Sequence, residues 1–217
     1  MVRFATVRQE IADTCRYLAD HGYFAGTGGN IGVRLDASLM AVTPSATDYY
    51  AIGPADVPII EIATLKRVDG ETVPTVEKAL HACMIKAYPS RRASIHTHQP
   101  VASAIALLHE ILPWGPGISV DANGDNVGLI PYRPSGTGML AKAFAKAIKP
   151  KTYAYLMASH GVICSADNLK AATTMLRQIE QSAQHYLQTR IQKMTTLDKQ
   201  LQAFLLAALE TSKGKGA

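Results

Sequence analysis

Two histidines two residues apart, in Ser94-Ile95-His96-Thr97-His98-Gln99-Pro100, are the residues of this chain best spaced to do chemistry. In an extended strand alternate side chains share a face, so His96 and His98 project together while Ile95 and Thr97 point the other way. Two imidazoles held like that reach one metal ion. A third, His160, lies beside Gly161 in the apolar run 155–163. Three neutral imidazoles suit Zn²⁺ and leave a fourth position for water, substrate or a carboxylate. Glu77 offers that carboxylate, although a glutamate in a first helical turn is also an ordinary partner for the helix dipole. His81, four residues further along the same helical face, is either a rival ligand or a hydrogen-bonded core histidine.

These groups need a mixed fold to hold them. Val7, Ile11, Cys15 and Leu18 recur at helical spacing, predicting a helix over 6–21 that stops at His21-Gly22. The glycine-rich stretch Gly26-Thr27-Gly28-Gly29-Asn30 follows a helix and precedes a strand (31–35). That order is the reverse of a dinucleotide-binding fingerprint, which is excluded. What remains is a tight turn whose N–H groups can form an anion nest. Further strands are predicted at 39–43, 57–62 and 64–68, with Asp69-Gly70 as a hairpin turn. Thr75 is expected to cap a helix over 76–88, placing Glu77 in its first turn. After the His96/His98 strand come a short helix opened by Pro100, strands at 117–120 and 128–131, and a helix over 138–148. A strand at 151–157 leads to His160-Gly161, Asn168 caps a long helix to about 194, and a last helix covers 197–209. The expected architecture is one α+β domain over residues 1–210, three layers (α/β/α) around a mainly antiparallel sheet. Residues 211–217 are expected to form a disordered tail.

Composition narrows the function. With 47% hydrophobic and 18% charged residues the chain is that of a globular domain. No run approaches a membrane-spanning length, so no membrane partner is expected. Three scattered cysteines (Cys15, Cys83, Cys164) fit neither a disulfide framework nor a zinc ribbon and point to a reducing cytoplasm. The net charge of +5 is not organised into an arginine block interleaved with aromatics, so nucleic acid is not an expected partner.

Taken together, Gly26–Asn30, Thr43-Pro44-Ser45, Pro74-Thr75-Val76-Glu77 with Leu80-His81, His96-Thr97-His98 and His160-Gly161 resemble the class II aldolase/adducin family, in particular its fuculose-phosphate aldolase group. The resemblance spans residues 7–190. It implies one Zn²⁺ per subunit held by His96, His98 and His160, with Glu77 as fourth ligand and as general acid/base. It further implies a zinc-dependent lyase that breaks a carbon–carbon bond in a small phosphorylated keto sugar through a metal-stabilised enediolate. Gly29, Asn30, Ser45 and Thr75 would bind the substrate's anionic group, and the protein would be a homotetramer with active sites between subunits. The same family holds sugar-acid-phosphate decarboxylases, epimerases and non-catalytic adducin-like assembly domains. Its epimerases tend to carry Asp where this chain has Glu77, which favours carbon–carbon cleavage or decarboxylation over epimerisation, and adducin-like heads tend to lack the histidines, which favours an enzyme. Two features depart from the family aldolases. Val76 stands where they usually have Ser, and no tyrosine lies around 114–120 or after Tyr186, leaving Tyr132 or the pair Arg133/Ser135 as substitutes.

Overall fold

The computed structural model describes residues 3–211. Its sheet runs β4-β3-β2-β1-β5-β8-β7-β6, from β1 (Asn30–Arg34), β2 (Leu39–Val42), β3 (Ile59–Glu61), β4 (Arg67–Asp69), β5 (Ala93–Thr97), β6 (Val127–Ile130), β7 (Ala154–Met157) and β8 (Gly161–Ala166). Every pairing is antiparallel except β6 with β7. Alternation on the strands sorts two apolar cores. Ile31, Val33, Ala93, Ile95, Leu156, Val162 and Cys164 pack against α1 (Ala5–Asp20), α3 (Pro100–Ala106) and α6 (Leu169–Gln192). On the other face Met40, Val42, Ile60, Tyr155, Met157 and Ile163 meet α2 (Lys78–Ala87) and α5 (Gly138–Ala147). The three-layer, mainly antiparallel α+β arrangement read from the sequence is the one observed. α4 (Val120–Asn123), α7 (Lys199–Thr211) and a short 3-10 turn (Pro54–Asp56) complete the helices among the described residues.

Four local expectations change. The stretch 117–120 is not a strand: Gly117 takes φ +78, Ile118 N–H donates to the Gly115 carbonyl, and Val120 starts α4. The β3–β4 reversal occurs at 62–66, where Leu65 adopts φ +60, and Asp69-Gly70 instead ends β4, with Asp69 paired to the buried Arg8. α2 begins at Lys78, two residues late, because the Thr75 hydroxyl and carbonyl accept from Glu77 N–H and Lys78 N–H, both at 3.3 Å, and form a turn before the helix. Glu77 is thus the residue preceding the helix rather than part of its first turn. Thr211 closes α7; the rest of the expected tail, 212–217, lies outside the described residues.

The strand β8, unassigned by the sequence reading, matters most for the site. β7 and β8 form a tight hairpin in which Met157 opposes Gly161, so His160 sits in the turn. Ser159 adopts φ +55 there; its N–H donates to the Ala106 carbonyl and its hydroxyl meets His109 Nε2 at 2.8 Å. β8 then pairs with β5, Thr97 opposite Val162 and His96 opposite Ile163, which brings His160 beside His96 and His98. Gly161 permits the approach: a Cβ there would lie 2.5 Å from the Thr97 carbonyl oxygen and 2.6 Å from His98 Cδ2.

Glycine in β1 is equally constrained. A Cβ on Gly32 would lie 2.7 Å from His81 Cβ, whereas one on Gly138 meets nothing within 4 Å. Gly32→Ala is expected to destabilise by about 1–3 kcal/mol through overpacking. Gly138→Ala is expected to be neutral or to stabilise by up to about 1 kcal/mol. Denaturant unfolding of the two variants checks this, and equal midpoints would contradict the packing described.

Candidate metal centre and active site

His96 projects from the middle of the sheet toward α2, and one ring nitrogen is already committed. Its Nδ1 lies 2.7 Å from the Val162 carbonyl, which only accepts, so Nδ1 carries the proton and Nε2 presents a lone pair. The rings of His98 and His160 stand 4.7 and 4.8 Å from that of His96, and one ligand atom from each of the three lies within 4.8 Å of the others. His96 Nε2, His98 Nε2 and His160 Nδ1 are buried without a hydrogen-bond partner. An unpartnered buried polar atom costs about 1–3 kcal/mol, and His96 Nε2, which also faces Glu77, is the orphaned atom best placed for a cation held among the three rings.

Glu77 closes the fourth side. Its Oε2 lies 3.3 Å from His96 Nε2 and its Oε1 3.4 Å from His160 Nε2. Each oxygen also accepts one hydrogen bond, Oε2 from Asn30 Nδ2 at 2.8 Å and Oε1 from the Ser135 hydroxyl at 2.9 Å. Burial alone would raise this carboxyl's pKa; His96, the Asn30 amide, His160 and the Ser135 hydroxyl together reverse that and hold it well below the usual range. Burial pushes all three histidines the other way, toward the neutral form that binds metal. The set is thus one carboxylate beside three imidazoles whose burial favours the neutral, metal-binding form.

The glycine turn is built next to it. Asn30 opposes His96 in the β1–β5 ladder, and Gly29, at φ +115, has its carbonyl held by the Tyr49 hydroxyl at 2.7 Å. A Cβ on Gly29 would lie 2.3 Å from the Phe24 ring. The chain around Ser45 and Thr75 is tied to β1: Thr43 N–H donates to the Ile31 carbonyl, Thr75 N–H to the Thr43 carbonyl and Ser45 N–H to the Val73 carbonyl. Gly29, Asn30, Ser45 and Thr75 thus come from segments joined at one end of the sheet. Asn30's side chain, though, is turned to Glu77 and His81. His81 stands outside the three-histidine cluster, hydrogen-bonded to Asn30 and Ser94. Of the residues raised as substitutes for the missing tyrosines, Ser135 reaches Glu77, while Tyr132 is 54% exposed and Arg133 donates to the Tyr132 carbonyl. Ser94 was not singled out by sequence; its place two residues before His96 on one strand face was the available signal.

This is an α/β/α domain with three histidines clustered so that they could hold a metal ion, and the comparisons give it a family. Residues 9–187 match the Class II Aldolase and Adducin N-terminal domain, and the chain belongs to that family. It is 35% identical over 184 residues to 5-deoxy-D-ribulose 1-phosphate aldolase of Bacillus thuringiensis serovar kurstaki, covering 84% of this chain and 85% of that one. L-fuculose phosphate aldolase of Escherichia coli K12 is 28% identical over 181 residues, covering 83% and 82%. A solved L-fuculose 1-phosphate aldolase superposes with a TM-score of 0.81 at 28% identity, over 96% of this chain and 98% of that one. Within the family this chain is an aldolase-type lyase. No helix among the described residues is long and apolar enough to cross a membrane.

The buried histidines make stability pH-dependent with a definite sign. Burial lowers His81 to about 4 and His96 to about 3 from an ordinary 6.5. Both stay neutral in the fold while their unfolded forms protonate, so the stability they confer is present above about pH 6.5 and declines as pH falls toward 4. The slope is up to about 1.4 kcal/mol per pH unit for each group. Calorimetry of chelator-treated protein should show a lower melting temperature at pH 5 than at pH 7, with net proton uptake on unfolding. No uptake in that window would contradict neutral buried imidazoles.

Proposed function

We propose that the chain is a zinc-dependent sugar-phosphate aldolase, cleaving the carbon–carbon bond of a small ketose 1-phosphate. The observation that supports this most strongly is Glu77 itself, an ionised, buried carboxylate set against two of the three histidines. His96, His98 and His160 would hold the zinc, with Glu77 as fourth ligand when substrate is absent. A zinc ion bound there supplies a Lewis acid that lowers the cost of a carbanion next to a carbonyl. Glu77 is the group placed to move a proton at that neighbouring carbon, since it is held by hydrogen bonds from Asn30 and Ser135. The phosphate falls to the Gly29 turn and the hydroxyls of Ser45 and Thr75, while Asn30 serves the carboxylate. The names of the relatives, which include 5-deoxyribulose 1-phosphate and fuculose phosphate, support a phosphorylated ketose as substrate. A homotetramer with active sites between subunits, working in a reducing cytoplasm, completes the reading.

The test is a cleavage assay on zinc-loaded protein with 5-deoxy-D-ribulose 1-phosphate and L-fuculose 1-phosphate, following dihydroxyacetone phosphate, with release of CO₂ from keto sugar acids as the opposing outcome. Glu77→Gln is expected to keep zinc near one ion per chain and lose roughly 10²–10⁴-fold in turnover. His96→Ala is expected to lose the metal. Turnover unchanged in Glu77→Gln, or protein that takes up no zinc, would overturn the assignment.

A further inference from the structure

The buried hydrogen bonds behind Glu77 run in one direction. The carboxylate only accepts, so Asn30 Nδ2 must donate to Oε2 at 2.8 Å. That turns Asn30 Oδ1 toward α2, where it lies 2.7 Å from His81 Nε2, and makes that nitrogen the donor. The ring is fully buried and neutral, so its Nδ1 is left as an acceptor, and the Ser94 hydroxyl 2.9 Å away donates to it. The order is Ser94 to His81 to Asn30 to Glu77, with each N–H or O–H aimed at the carboxylate. His81 and Ser94 are 0% exposed and Asn30 is 7% exposed. An asparagine amide has two orientations, and with its oxygen toward Glu77 two acceptors would face each other. The N–H of His81 penalises that orientation.

We propose that His81 is a positioning residue for Glu77, acting through Asn30: it selects the amide orientation that donates to the carboxylate, and Ser94 fixes the tautomer that makes His81 a donor. The role rests on Glu77 as the acid/base of the reaction. It differs from the rival ligand role, because both ring nitrogens of His81 are already used and the ring lies behind Asn30 rather than in the metal pocket. It also differs from simple core packing. A packing role asks for volume, whereas this one asks for a donor at the Nε2 position. Uniformly oriented chains of buried hydrogen bonds reinforce one another, so the far end of the relay bears on the carboxylate.

Two polar substitutions separate the roles. In His81→Gln the side-chain amide nitrogen reaches the place of Nε2 and still donates to Asn30. In His81→Asn the shorter amide meets Ser94 but falls short of Asn30. On the zinc-loaded protein with 5-deoxy-D-ribulose 1-phosphate, His81→Asn should lose about ten- to a hundred-fold in kcat with KM changed by no more than about three-fold. His81→Gln should recover most of the loss, and zinc content should match the parent in both. In chelator-treated protein, the Asn30 side-chain amide protons, followed by ¹⁵N–¹H NMR, should exchange slowly in the parent and in His81→Gln and faster in His81→Asn. Should His81→Asn not fold, Ser94→Ala carries the same expectation at a few-fold loss. Equal kcat in the Asn and Gln variants, or unchanged Asn30 exchange, would overturn the proposal. If Glu77→Gln abolishes turnover while His81→Asn does not, the relay falls and the role of Glu77 stands; if neither matters, both fall.

Discussion

A single ionised carboxylate buried beside three histidines sets the terms for everything around it. Left alone, burial would push Glu77 toward its protonated form, weakening it for the ligand and base roles proposed for it. The surroundings counter that with one hydrogen-bond donor to each oxygen. Those donors come from opposite kinds of structure. Asn30 is in the central sheet and 7% exposed, whereas Ser135 belongs to an exposed loop between β6 and α5. One oxygen is thus fixed by the core and the other by a segment open to solvent. The histidines meet the complementary need: burial keeps them neutral, and the carbonyl of Val162 assigns the His96 tautomer.

The sheet exists, functionally, to bring four distant segments to one point. β5 lies between β1 and β8, so Asn30 arrives on one side of His96 and His160 on the other. α2 covers the face that carries His96 and delivers Glu77 just before its first turn. Close approach is bought at three glycines, Gly29 against Phe24, Gly32 against His81 and Gly161 against β5. Val76 has no part in this holding and stands 63% exposed beside Gly136.

Local sequence carried a good deal of this. The pairing of His96 with His98 on one face was legible because a strand has a period of two, and Asn168 was legible as a cap, its carboxamide accepting from Ala171 N–H. The metal-ligand candidates were visible as residue types, with His160 marked by the adjacent glycine. What local pattern could not supply was register. β8 is a continuous buried strand, and nothing in Val162–Ala166 alone says that it lies against β5. The late start of α2 turned on the Thr75 turn outcompeting the helix, and the false strand at 117–120 on a glycine with positive φ. His81 was left between ligand and core because the choice depends on Asn30, 51 residues away, and Ser135 emerged only through its 58-residue separation from Glu77 being closed by the fold.

The central claim is that His96, His98, His160 and Glu77 converge on one zinc ion. The most direct measurement is anomalous diffraction at the zinc edge from crystals of zinc-loaded protein without substrate. The account predicts one strong peak per chain, bonded to all three imidazoles at about 2.0–2.1 Å with a Glu77 oxygen as fourth ligand. No peak in the pocket, or a peak that takes His81 as a ligand and leaves His160 free, would contradict it.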